Sequence, residues 1–199
     1  MRRTRRPVSH VRGETMEGFV ERDESFLLVI DVQERLHAAM DASSAQAYAR
    51  NCGILVRTAS RLGLPVVVTE QYPKGLGPTI ESLAGVLGDE PRMSKLAFSC
   101  MREEPIAARI RSIGRKRAII AGIEAHVCVL QTAVDMMREG MRVVVASDEV
   151  CSRRASDRDA ALDTLRTLGA LVYPTETIAF MLLERAGTDE FKDLAPLFR

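Results

Sequence analysis

The chain has 199 residues, of which 46% are hydrophobic and 28% charged, with a formal net charge of +1. These values suit one globular domain and exclude a strongly basic nucleic-acid binder or a polybasic membrane binder. The apolar runs are far shorter than the ~20 residues that a spanning helix needs, so no membrane partner is expected.

Residues 1–24 stand apart. They carry Arg2, Arg3, Arg5, Arg6, Arg12 and Arg22, with little apolar periodicity and no secretory-type apolar core. The expectation is a disordered basic tail over 1–24 and one domain over 25–199. From Ser25 the pattern becomes regular. SFLLVID is a continuous apolar run closing on an acid. LPVVVTE, KRAIIAG, MRVVVASD and the short ALVYP repeat the form. Runs of this length without polar alternation predict strands buried on both faces.

Helical periodicity lies between the runs. It predicts helices over 43–62, 105–113, 126–139, 156–168 with Ser156 as N-cap, and 175–186. Gly63, Gly114, Gly140 and Gly169 stand where such helices would close. The segment TEQYPKGLGPTIESL reads as a long loop. Strand and helix alternate along the whole body, which predicts an α/β, three-layer α/β/α doubly wound fold around a parallel sheet.

In such sheets ligands bind beyond the carboxyl ends of the strands. Three residues there invite chemistry. Cys128 begins a helix just after a strand, where backbone amides and the helix dipole would lower a thiol pKa. The alternative is a small buried hydrophobe. Asp31 closes an apolar strand, a poor packing choice but a natural general base, or else a turn cap. Lys95 sits in the apolar setting KLAF, where it could pair with a carboxylate and a thiolate, or snorkel at the surface. Other chemistries lack their residues. A cysteine phosphatase needs Arg six positions after its Cys, where Val134 stands; there is no GxGxxG, GKS, GKT or GxSxG. Cys52, Cys100, Cys128 and Cys151 form no CxxC and no zinc-type cluster, so free thiols in a reducing, cytoplasmic setting are expected.

LLVIDVQ, TEQYPKGLGPTI, KLAFSC and AGIEAHVCVLQTAVDMMREG resemble the isochorismatase-like cysteine hydrolases. The resemblance runs from about Phe26 to the C-terminus. TEQYPKGLGPT, GIEAHVCVLQT and FKDLAPLF place it nearest the branch called isochorismatase domain-containing protein 2. It implies a six-stranded parallel sheet, a homo-oligomer and an Asp–Lys–Cys triad falling on Asp31, Lys95 and Cys128. It also implies a cis peptide at Ile123–Glu124 and thioester chemistry on a small carbonyl substrate, with backbone amides at Glu124 and Cys128 as oxyanion donors. Gln33, Gln71, Tyr72, Phe98 and His126 would form the substrate wall, together with Glu124. The metal-binding histidines of nicotinamidases in this superfamily have no counterpart after TEQY, so no metal and no other cofactor is expected. Two other readings remain open: a catalytically silent member serving as a protein-interaction module, and a redox role for Cys128 with Cys100 or Cys151 as resolving partner.

Overall fold

The computed structural model describes residues 18–199. Strand β1 (Ser25–Ile30) is buried throughout. Helices α1 (Glu34–Ala38) and α2 (Ala42–Leu62) lead to β2 (Val66–Gln71). Asp41 caps α2 by accepting from the amides of Ser43 and Ser44, each at 3.1 Å. Next come α3 (Pro73–Leu76), α4 (Glu81–Leu87), the short β3 (Arg92–Lys95) and α5 (Glu104–Ser112). Strand β4 (Arg117–Ile123) runs into a π-helical turn, Ala125–Val129, that continues as α6 (Leu130–Arg138). The chain closes with β5 (Arg142–Cys151), α7 (Ala155–Thr167), β6 (Leu171–Tyr173), α8 (Thr175–Leu183) and α9 (Asp189–Leu194).

The six strands are parallel, in the order β3-β2-β1-β4-β5-β6. Side chains of the central strands alternate between two cores. Leu27, Val29, Ile119 and Ala121 pack with α2 and α8 residues, while Phe26, Leu28, Ile30, Ala118 and Ile120 pack with α5, α6 and α7 residues. Both faces are therefore apolar, which is why the runs show no polar alternation. Each fully buried leucine or isoleucine contributes about 1.5–3 kcal/mol.

This strand order positions the site. The chain leaves β1 in one direction through β2 and β3, then returns to pair β4 on the other side of β1. The loops beyond β1 and β4 diverge, leaving a crevice at the carboxyl edge. Close approach of the two strands there demands Gly122. It pairs with Ile30 at φ +118°, and a Cβ would lie 2.0 Å from the Ile30 carbonyl oxygen.

Several sequence expectations shift. The tail boundary at residue 24 moves back. Val20 is fully buried, Tyr173 donates to the Gly18 carbonyl at 2.9 Å, and Arg115 donates to the Arg22 carbonyl at 2.8 Å. Partners from distant elements hold this segment, so its own sequence shows no pattern. The expectation for residues 1–17 lies outside the described residues. The supposed long loop holds α3 and α4. Helix α7 starts one residue before Ser156, with Arg154 at the N-cap position and no side-chain cap. The last predicted helix ends at Leu183 rather than 186.

Candidate active site

Three segments from separate parts of the chain meet in the crevice. Asp31 follows β1 directly, at φ +53°. That left-handed conformation costs a non-glycine residue on the order of 1 kcal/mol. Neighbouring β2 holds it, since the Asp31 amide donates to the Thr69 carbonyl at 3.1 Å and Thr69 Oγ1 donates to Asp31 Oδ1 at 2.8 Å. Thr69 interrupts the valines of LPVVVTE, and that polar residue in a buried strand was the available signal.

Lys95 ends edge strand β3, paired in register with Gln71. Its side chain passes over the end of β2 to reach Asp31. Nζ lies 2.6 Å from Asp31 Oδ2, and both side chains are wholly buried. The ammonium also donates to Gln71 Oε1 at 2.6 Å and to the Phe98 carbonyl at 3.1 Å, with Cys128 Sγ at 3.5 Å. With the Ala97 carbonyl at 3.4 Å, three N–H groups thus meet one carboxylate and three neutral oxygens, and the sulfur stands slightly farther out. Asp31 and Cys128 thus share the one Lys95 ammonium.

Burial governs the electrostatics of this cluster. It pushes the Asp31 carboxyl above its ordinary value, although the Lys95 charge pulls it down. Burial works against the Lys95 ammonium, but the Asp31 charge beside it outweighs burial and holds Lys95 above the usual lysine range. Burial and then the Asp31 charge push the Cys128 thiol up to about 12. This is opposite to the lowering expected of a thiol at a helix start. Desolvation and a neighbouring carboxylate win, because both penalise a thiolate. The resting cysteine at neutral pH is therefore a thiol, only 5% exposed. A second thiol shares the setting. Cys100 Sγ lies 3.9 Å from Thr69 Oγ1, and its amide donates to Thr132 Oγ1 at 3.0 Å.

The expected substrate wall divides. Both ends of the buried Gln33 amide are engaged: Nε2 donates to the carbonyls of Gln71 (3.0 Å) and Gly77 (2.7 Å), and Oε1 accepts from the Gln71 amide at 2.7 Å. Gln71 accepts from Lys95 and donates to the Leu96 carbonyl at 2.9 Å. Both glutamines thus brace the site from within. Tyr72 and Phe98 are about half exposed, at 52% and 53%. His126 is half-buried, with Nδ1 2.9 Å from Ser152 Oγ. Ahead of the turn that holds Cys128, the Ile123–Glu124 peptide is cis. The Glu124 carbonyl accepts from the amides of Val127 and Val129 at 3.1 and 3.2 Å. Glu124 Oε1 accepts from Arg153 Nε at 3.0 Å, a partner that sequence spacing did not suggest.

Among the described residues no three His, Cys, Asp or Glu side chains gather as a metal site. A groove of about 920 Å³ along α2 shares no residue with the cluster. Polar groups converge at the crevice, and open volume lies elsewhere.

Fold and site together define a doubly wound α/β/α protein with a carboxylate, an ammonium and a thiol at the switch point of its sheet. Residues 25–177 match the Isochorismatase domain. Isochorismatase domain-containing protein 2 of Danio rerio is 36% identical over 174 residues, covering 87% of this chain and 86% of that protein. The chain belongs to the isochorismatase domain family, which is a family of hydrolases. A solved structure described as MAR1 ribonuclease from Caenorhabditis elegans is similar at TM-score 0.83 and 32% identity, covering 90% of this chain and 92% of that one. The YcaC product of Escherichia coli, described as an octameric hydrolase of unknown specificity, shares the fold. Its TM-score is 0.84 at 23% identity, with 93% and 91% of the two chains covered.

Proposed function

We propose that the protein is a metal-independent cysteine hydrolase of a small amide, ester or related carbonyl compound, working through a Cys128 thioester. One observation carries this reading: the buried Lys95 ammonium stands 2.6 Å from the Asp31 carboxylate and 3.5 Å from the Cys128 sulfur, so the three groups meet around one nitrogen. A free thiolate is unfavourable here, so proton transfer and attack are coupled. Asp31 accepts the thiol proton as sulfur bonds to the carbonyl carbon, and the C=O pair moves onto oxygen. Backbone amides at Glu124 and Cys128 receive that oxyanion, each worth about 3 kcal/mol. Collapse expels an amine or alcohol, which takes the proton from Asp31. Water, deprotonated by Asp31, then attacks the thioester, and the departing Cys128 sulfur recovers a proton. Lys95 stays an ammonium throughout, balancing whichever of Asp31 or Cys128 carries the charge.

Metal independence rests on the donor set. Glu70, Gln71 and Tyr72 follow on from Thr69 with no histidine, and no metal-type cluster gathers among the described residues. The partner is a small molecule, since a net charge of +1 gives no basic field for nucleic acid. No helix among the described residues is long and apolar enough to cross a membrane. Buried free thiols favour a cytoplasmic setting. Leu96 and Phe98, 70% and 53% exposed beside the site, are surface that a homo-oligomer would cover, and sedimentation velocity tests that assembly. The hydrolase reading is tested with 4-nitrophenyl esters and intact-mass detection. An acyl adduct on Cys128 that turns over, and is lost in Asp31→Asn, supports it. No adduct across a broad ester series leaves the chain a silent scaffold.

A further inference from the structure

The turn that carries the nucleophile is clamped from one side by the loop after β5. His126 Nδ1 meets Ser152 Oγ at 2.9 Å, and Glu124 Oε1 accepts from both the amide and Nε of Arg153, at 3.2 and 3.0 Å. Nε is thereby fixed, while the two outer nitrogens of Arg153 have no protein partner among the described residues. The Arg154 side chain makes no hydrogen bond or ion pair among the described residues. A cavity of about 330 Å³ opens here, lined by Arg153, Arg154 and Asp157. Asp157 forms no ion pair with either arginine among the described residues, so Arg154 has no carboxylate on it, while Glu124 pairs with the inner side of Arg153 only. Arg154 also stands at the N-terminus of the thirteen-residue α7, which has no side-chain cap. Glu124 stands four residues before Cys128, at the N-cap of the π-helical turn that carries it.

From this placement we infer that Arg153 and Arg154 form an anion-recognition subsite, and that the preferred substrates carry a carboxylate several bonds from the carbonyl under attack. This inference rests on the hydrolase reading for its chemistry, and the binding it invokes is measurable without turnover. A guanidinium whose inner edge is already pinned by Glu124 loses little freedom when its outer edge binds a carboxylate in the bidentate fashion. Glu124 pairs with that inner edge and, through its backbone, belongs to the turn that bears Cys128. The same residue therefore couples the anion subsite to the reacting centre.

The test uses two acyl donors matched in chain length, the mono-4-nitrophenyl ester of adipate and 4-nitrophenyl hexanoate. The expected result is a kcat/KM preference for the adipate ester that falls about tenfold in Arg153→Met and again in Arg154→Met. The preference should also shrink as salt rises from about 0.05 to 0.5 M. Arg57→Met, on α2 away from the site, keeps the wild-type ratio. Equal kcat/KM for the two esters, with acyl-enzyme formed on Cys128, overturns the subsite and leaves the hydrolase reading intact. If neither ester acylates Cys128, the hydrolase reading fails and calorimetric titration of adipate decides the subsite. Binding weakened by both arginine substitutions upholds it, and absence of binding overturns it.

Discussion

Replacing Lys95 with methionine should destabilise the fold in a pH-dependent way. The side chain volume is nearly kept, but Asp31 loses an ammonium 2.6 Å away in a site with no solvent access. At an effective dielectric of 20, two unit charges at that distance attract by about 6 kcal/mol. Breaking a buried pair from one side costs about 3–5 kcal/mol in practice. Protonation offers relief. Burial already raises the Asp31 carboxyl, and without Lys95 it rises further. A folded pKa above the unfolded one gives stability that is fully present below the unfolded value and is lost as pH rises through the folded value. Lys95→Met should therefore be damaged mildly near pH 4.5 and severely near pH 8, with a slope approaching about 1.4 kcal/mol per pH unit between them. Urea denaturation at a series of pH values measures this. The double variant Asp31→Asn/Lys95→Met should recover most of the loss at pH 8, because no uncompensated charge remains. Equal loss at both pH values, with no recovery in the double variant, would refute the view that the pair is held as buried charges.

Three further outcomes follow from the same physics. With its thiol pushed up to about 12, Cys128 should alkylate with iodoacetamide at a rate still climbing above pH 9; a plateau near pH 7 in residue-resolved mass spectrometry would contradict the buried-thiol ground state. Gly122→Ala should abolish soluble expression, since its Cβ would lie 2.0 Å from the Ile30 carbonyl oxygen, and a melting temperature within a few degrees of wild type would count against the close strand approach. Glu149 is fully buried and, with desolvation dominant, titrates well above 4.5. Thr175 Oγ1 lies 2.7 Å from both Asp148 Oδ1 and Glu149 Oε1, and its single proton requires Glu149 to be the neutral donor of the second bond. Glu149→Gln should then be tolerated at pH 7 and should flatten the alkaline loss of stability, because the wild-type proton is lost as pH rises through the raised value.

The buried central strands were legible because a sheet covered on both faces forces unbroken apolar runs. Edge strand β3 was not. Of RMSK only Lys95 is buried, and the rest is partly or fully exposed, so no apolar run marks it. Asp31 and Lys95 stood out as charged residues in apolar settings, and Cys128 by its place at the start of a helix. Their protonation was not legible, because it depends on how completely the folded chain excludes water and on Asp31 facing Cys128. The bracing roles of Gln33 and Gln71 were hidden for a similar reason. An amide near a site looks like a ligand for substrate until the carbonyls of Gly77 and Leu96 are seen to occupy it. Arg153 finds Glu124 across 29 residues, a pairing made only by the adjacency of β4 and β5.

The crevice exists only where β1 meets β4, and Ile30 and Gly122 pair across 92 positions of chain. Contacts so distant in sequence carry a large loop-closure cost and form late when a chain refolds. Helical signal returns early, because its contacts are local. Burial of the Cys128 thiol after denaturation should consequently trail the recovery of far-ultraviolet ellipticity, and its time course reports the moment at which the two halves of the sheet join.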